Sequence, residues 1–297
     1  MEIFECVLPP PGGRPDWFAK KYLQRVSNGK FIVETTYIRR PEKHIICIST
    51  QVGCPIGCKF CASGLRTVTD KEMPYRQSLS TAEIVSQCNN VISDIDLAAH
   101  PLTLLLSFMG EGEPFLNFEN VVSAFRHFGE TKIPVPVRLA VSTSGIYPDL
   151  IRRLGTLSFV LPLKLQVSLH GPTDAVRNLI VPAKTTSPLL KIISAVRAFQ
   201  ETSERLVEWN YVLCDGVNDA LEHAEQIVAL LGSGSHVKFN RLNKVSGSPF
   251  EPTPKERALE FRDILEGGNL TTEFYETNES DVNSGCGMLA YRTVARN

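Results

Sequence analysis

The chain has no run of about 18 uncharged apolar residues, so no segment of it reads as a membrane-spanning helix. Its first residues, "MEIFECVLPPPGGRPDW", hold Glu2, Glu5 and a proline run where a signal peptide has a basic and then an apolar region. Both absences point to the cytoplasm. Charge of one sign is missing too: the net charge of −1 argues against avid, nonspecific nucleic-acid binding. Only local clusters remain as basic faces, "YIRRPEKH" (37–44) and Lys20–Lys21, and each reads equally well as a solvated loop. There is no low-complexity tract. No good GxGxxG opens a helix, which ranks a doubly wound dinucleotide fold second.

What is present is a strand-then-helix rhythm. The 297 residues, 43% hydrophobic and 21% charged, can bury a large core. Strand-like runs are "HIICIST", "LTLLLSFMG", "VRLAVSTSG", "LKLQVSLHG", "LVEWNYVL" and "HVKFNRL". Helix-like stretches fall between them, and "TPKERALEFRDIL" follows the last; "STAE" and "TPKE" have the form of helix starts. Such alternation predicts a parallel sheet covered on its outer face. Six units suffice for a partial (β/α)6 TIM-like barrel. The clusters "GEGEP", "STSG", "SLHG" and "CDGVND" follow strands, at the end where βα loops build active sites. Residues 1–45 read as an amino-terminal extension, with a possible short helix "DWFAKKYLQRV", a turn "SNG" and a strand "GKFIVETTYI". Residues 46–297 read as the core barrel with a carboxy-terminal segment.

In the cytoplasm, eight cysteines suggest metal or catalysis rather than a disulfide framework. "CISTQVGCPIGCKFCASG" (47–64) holds four of them, three as Cys54-x3-Cys58-x2-Cys61. Gly53, Pro55 and Gly57 give that loop the turns needed to wrap a small inorganic core. Zinc prefers a fourth nearby Cys or His, and ferredoxin-type ligation also uses four cysteines. Three cysteines leave one iron of a [4Fe-4S] cluster open to an outside ligand. Phe60, directly before Cys61, would shield such a cluster.

The CxxxCxxC motif after the first strand of a partial barrel resembles the radical S-adenosylmethionine (SAM) signature. The whole stretch is closer still to the RlmN/Cfr family of RNA adenosine methyltransferases. The likeness runs from about Glu34 to Ala290 and includes "MGEGEP", "VSTSGIYP", "SLHGPTDAVRNLIVP", "YVLCDGVND" and "NSGCGMLA" in order. It implies a radical SAM barrel in which Cys54, Cys58 and Cys61 bind a [4Fe-4S] cluster. Gly112 and Glu113 would hold the amino end of SAM. Ser142, Ser168, Leu169, His170 and Asn243 match positions contacting the rest of it. Taken singly, His170 would be an ordinary barrel-rim histidine.

Two further thiols match roles in the family's chemistry. Cys286 resembles the cysteine that becomes S-methylated, Cys47 its resolving partner, and Glu34 the proton acceptor. The C2 and C8 carbons of adenine are electrophilic and cannot attack the methyl of SAM as a thiolate can. The resemblance implies that Cys286 is methylated first and that its methyl then adds to the base as a radical. A disulfide between Cys47 and Cys286 would release the product. Cys6, Cys88 and Cys214 have no matching role. Cys88 and Cys214 read as small core residues.

Three features stand apart from the family pattern. Only a short segment precedes Glu34, where the RlmN branch usually has a helical domain. "GLRTVTDKEMPYRQSLSTAEI" after Cys61 is long and charged, and Glu111 in "MGEGEP" has no evident role. The implied function is methylation of an adenosine carbon, C2 first, in RNA, with 23S rRNA ahead of tRNA. A flavodoxin- or ferredoxin-type donor would supply electrons to a monomer with no membrane partner. The alternatives are the same cofactor chemistry on another RNA or a small nucleotide, and a non-catalytic iron–sulfur or redox-sensing protein.

Overall fold

The computed structural model describes residues 3–7, 18–69, 77–182, 187–275 and 287–288. Three antiparallel strands come first: β1 (Ile3–Val7), β2 (Phe18–Val26) and β3 (Phe31–Arg40). The segment expected to be a short helix is, in its described part, β2. Phe18, Tyr22 and Val26 recur at a helix-like spacing. Pairing on both sides, with β1 and β3, overrides that local pattern. The predicted turn is present, with Ser27, Asn28 and Gly29 all at positive φ.

Strand β3 pairs antiparallel with β4 (Lys43–Cys47), the first strand of the expected barrel. A small ribbon of β5 (Gln51–Val52) and β6 (Gln77–Ser78) follows, with helix α1 (Ala62–Thr69) between its strands. Strand and helix then alternate: α2 (Thr81–Asp94), β7 (Thr103–Phe108), α3 (Phe118–Glu130), β8 (Val137–Thr143), α4 (Pro148–Thr156), β9 (Leu163–Ser168). Next come α5 (Asp174–Ile180), α6 (Leu189–Ser203), β10 (Val207–Val212), α7 (Leu221–Leu231), β11 (His236–Asn240), α8 (Lys255–Gly267) and β12 (Thr271–Tyr275).

The ten-stranded sheet has the order β1-β2-β3-β4-β7-β8-β9-β10-β11-β12. From β4 onward every pairing is parallel. All six expected core strands are there in sequence order. A seventh, β12, carries no strand signal in its sequence, because "TTEFY" is short and mostly polar. The sheet is the expected parallel α/β array with three antiparallel strands added on one edge.

Successive residues of a strand point to opposite faces. Ile46, Ile48, Leu104, Leu106, Leu139, Val141, Leu165 and Val167 join the main apolar core with the helices. The alternate residues, among them Cys47, Ser107, Ser142, Gln166, Ser168 and Asn210, face the concave lumen. Deep in the lumen Lys164 (2.5 Å) and Gln166 (2.5 Å) engage Glu208, and Lys238 lies 4.0 Å from it. Tyr275, at the end of β12, lies between Arg40 and Lys238, at 4.2 and 4.3 Å from its ring centre.

Helix α2 starts as "STAE" predicts: Ser80 and Glu83 form a capping box. The "TPKE" start differs. Helix α8 begins at Lys255, but Thr253 donates to Asp219 at 2.9 Å rather than capping it. Cys88 in α2 and Cys214 after β10 are fully buried core residues, as expected. No helix among the described residues is long and apolar enough to cross a membrane.

Candidate active site at the strand ends

A cavity of about 160 Å³ opens at the carboxyl ends of the parallel strands. The thiols of Cys54, Cys58 and Cys61 form one wall. Positive φ at Gly53 and Gly57 (both 74°) turns the loop back on itself so that all three cysteines reach the same space. The cysteines sit against an apolar bed that includes Ile56, Ile180 and Val181. Lys59 N–H ties the loop to the Ile180 carbonyl at 3.0 Å.

Burial pushes the Cys54 thiol well above its ordinary range, and the neighbouring Cys58 and Cys61 add repulsion. Cys58 is raised for the same two reasons, burial first. Cys61 is raised by burial, against hydrogen bonds from Gly64 and Ser63. Left alone, the three thiols therefore stay protonated, since each thiolate would lack a compensating charge. They fit a cationic inorganic core, which turns each thiol into a bound thiolate.

Opposite the cysteines lies Glu113, which is 4% exposed. Its Oε1 accepts from the Phe115 N–H (3.1 Å) and its Oε2 from the Ser144 N–H (2.8 Å). Burial nonetheless raises its pKa, so a cationic ligand would be welcome there. Gly112 beside it has a φ of 103°, and a Cβ there would come within 2.6 Å of Gln51. Only glycine lets the backbone pass so close to the start of the cluster loop.

Ser142, Ser168, His170 and Asn243 also line the cavity. Leu169 between them points into the core, and its N–H donates to the Asn210 carbonyl at 2.9 Å. His170 is held at a φ of 53°, rare for a residue with a side chain. Its Nδ1 accepts from the Val212 N–H (3.1 Å), which puts the proton on Nε2. Burial, then the charge of Arg177, holds its pKa down to about 3. Phe60 meets its ring edge-on at 5.0 Å, so the aromatic expected to shield a cluster packs over the histidine as well.

Glu34 and Cys47 lie on the adjoining lumen face. Thr36 pairs with Cys47 in the β3–β4 register, and Glu34 follows two residues along on the same face. Glu34 is buried and ion-paired with Lys21 at 3.3 Å. Cys286 lies outside the described residues. Its neighbour Gly287 lines the cavity, and the Gly287 carbonyl accepts from Ala62 N–H at 2.6 Å. No disulfide joins any two of the described cysteines 47, 54, 58, 61, 88 and 214.

Several parts of this arrangement were not legible in the sequence. Glu111 is a stitch. Its Oε1 accepts from the Glu34 N–H (3.1 Å), and its own N–H donates to Ser49 Oγ (2.9 Å), which donates to the Glu34 carbonyl (2.5 Å). Arg177 is fully buried and donates to the carbonyls of Ser144 (2.5 Å), Ser168 (3.1 Å) and Leu169 (3.1 Å), fastening the ends of β8 and β9. Members of the basic clusters are paired within the chain: Lys20 with Asp94 near the surface, Lys21 with buried Glu34, and His44 with Tyr37 and the His100 carbonyl.

Three thiols on one loop at the mouth of a parallel α/β barrel, facing a buried carboxylate, define the radical SAM class of enzyme. The radical SAM superfamily model matches residues 48–231. The dual-specificity RNA methyltransferase RlmN of Halorhodospira halophila is 35% identical over 91% of this chain and 72% of its own. That of Anaeromyxobacter sp. is 34% identical over 91% and 70%. A radical SAM methyltransferase from Sphaerobacter thermophilus superposes with a TM-score of 0.82 at 30% identity, over 96% of this chain and 81% of the other. The chain belongs to the RlmN family of radical SAM methyltransferases.

Proposed function

We propose that this enzyme methylates C2 of an adenosine in RNA, with 23S rRNA as the first substrate and tRNA as a second. It acts in the cytoplasm as a monomer, with electrons from a flavodoxin- or ferredoxin-type donor. One observation carries the reading. The cluster cysteines, Glu113 and Gly287 share one cavity, while Glu34 stands two residues along β3 from Thr36, the register partner of Cys47. The RNA assignment rests on the names of the relatives.

Cys54, Cys58 and Cys61 hold a [4Fe-4S] cluster and Glu113 receives the ammonium of SAM, a charge-assisted pair in a dry site. Held by those three cysteines, such a cluster would supply the electron for reductive cleavage of SAM and so make carbon-radical chemistry available to the enzyme. His170, neutral at working pH, offers only its Nε2–H to the cavity. Phe60 keeps water from the thiols. Cys286 accepts a methyl group from SAM by displacement. One hydrogen of that methyl would leave with the 5′-deoxyadenosyl part of a second SAM, its carbon would join adenine C2, and the ring would then give up one electron, back to the oxidised cluster, and one proton, to Glu34. The Cys47 thiolate would then attack the sulfur of Cys286, so that a disulfide forms while the carbon–sulfur electron pair stays with the product carbon, which takes up a proton to become the methyl group.

The test is anaerobic turnover with SAM, dithionite and rRNA lacking C2 methylation, followed by mass spectrometry of the nucleosides. 2-Methyladenosine is the expected product. SAM cleavage with no methylated nucleoside in rRNA or tRNA overturns the substrate, and methylation at C8 overturns the position.

A further inference from the structure

Two buried asparagines among the described residues are fully engaged, and a third, inside the cavity, is not. Asn218 donates to the carbonyls of His170 (2.9 Å) and Val212 (2.7 Å) and accepts from the Cys214 N–H (2.7 Å). Asn117 donates to the carbonyls of Thr50 (2.9 Å) and Leu79 (2.7 Å) and accepts from Asn120 (2.8 Å). Asn210 is different. It is 5% exposed, it lines the cavity, and its Oδ1 is hidden from solvent with no donor in reach. A buried acceptor without a donor is costly, and sites that keep one usually keep it for a ligand or a bound water.

The neighbours of Asn210 narrow the choice. It stands in register with Ser168 on β9, one strand spacing of about 4.8 Å away. Both residues are uncharged and line the same cavity. We infer that Asn210 is a SAM-binding residue whose Oδ1 accepts a hydrogen bond from one ribose hydroxyl, with Ser168 beside it serving the other. This rests on the reading of the cavity as the SAM site. Of the donors SAM carries, the ammonium is drawn to the Glu113 carboxylate. The adenine amine carries its two N–H donors on a single nitrogen, whereas the vicinal hydroxyls present donors on adjacent carbons, matching two adjacent neutral side chains. Asn210 thereby fixes the sugar and, through it, the direction of the sulfonium relative to the cysteine loop.

The test uses the cluster-loaded protein and calorimetric titration with SAM and with its 2′-deoxy and 3′-deoxy ribose analogues. Asn210→Leu, of similar volume, removes the acceptor, and Asn210→Ala repeats the test should the leucine disturb folding. Each variant is expected to keep its cluster absorption and to bind SAM about tenfold more weakly, as for one lost buried hydrogen bond. One deoxy analogue should bind wild type about tenfold more weakly than SAM does, yet bind the variant no worse than SAM does. The variant without SAM should melt no lower than wild type, whereas a merely structural asparagine would take stability with it. Unchanged SAM affinity, or a penalty that simply adds to that of both analogues, overturns the assignment. Glu113→Gln, titrated in parallel, separates the two levels: if it too leaves SAM affinity unchanged, the cavity is not the SAM site.

Discussion

Lys21 and Glu34 form an ion pair across β2 and β3, 3.3 Å apart, with side chains only 8% and 3% exposed. Removing one partner of such a pair strands a desolvated charge, which typically costs about 3–5 kcal/mol. Lys21→Met should therefore lower the stability of the protein strongly. The double variant Lys21→Met with Glu34→Gln should recover much of the loss. Denaturant titrations of the three variants and wild type check this. A double variant as unstable as the sum of the singles would show that the two side chains do not depend on each other.

Glu113 holds two backbone N–H groups and faces the cluster loop. Glu113→Gln keeps the shape and removes the charge that would meet an ammonium. SAM affinity should fall by about tenfold or more, with the iron content unchanged. Calorimetry and iron analysis on the same sample measure both. A loss of iron without a loss of affinity would assign Glu113 to the loop instead.

His170 gives the protein a definite response to acid. Its pKa is about 3 in the fold against an ordinary 6.5. Between those values the unfolded chain binds a proton that the folded chain refuses. The contribution of this group is therefore fully present above pH 6.5 and declines as the pH falls. By pH 5 it has lost about 2 kcal/mol, at 1.36 kcal/mol per unit. His170→Gln cannot titrate, so its stability should fall less than that of wild type between pH 7 and pH 5. Equal losses would mean that the folded histidine accepts a proton after all.

Cys47 and Cys286 should fail in different ways. Cys286→Ala should keep cluster and SAM binding but give no methylcysteine and no methylated RNA. Cys47→Ala should accept the methyl and attack the base, then stop with RNA attached, because no thiol remains to release it. Gel shift under denaturing conditions detects the adduct. Clean turnover by Cys47→Ala would remove that thiol from the reaction.

The legible part of the sequence was the part governed by local pattern. The runs from His44 to Leu242 alternate or cluster apolar residues strongly enough to read as strands, and the cysteine spacing marks its loop unaided. Where pairing partners decide, the pattern misleads. Phe18 to Val26 has helical spacing but forms a strand because β1 and β3 flank it. Thr271–Tyr275 is too polar to announce a strand and is one because β11 offers an edge. Arg177 and Glu111 were invisible as site residues for a related reason. Their partners are backbone groups brought near by the fold, and a fully buried arginine runs against what composition leads one to expect.

Along β9, Leu163, Leu165 and Val167 join the helix-facing core, while Lys164, Gln166 and Ser168 alternate with them on the lumen side. Each barrel strand thus carries two interleaved texts under separate selection. One is written in volumes and answers to the helices. The other is written in donors and acceptors and answers to whatever the lumen holds. A lineage can rewrite the second letter by letter while the first stays fixed, so new substrates are reachable without passing through an unfolded ancestor. For the engineer, libraries confined to the alternate positions change chemistry and leave the scaffold alone.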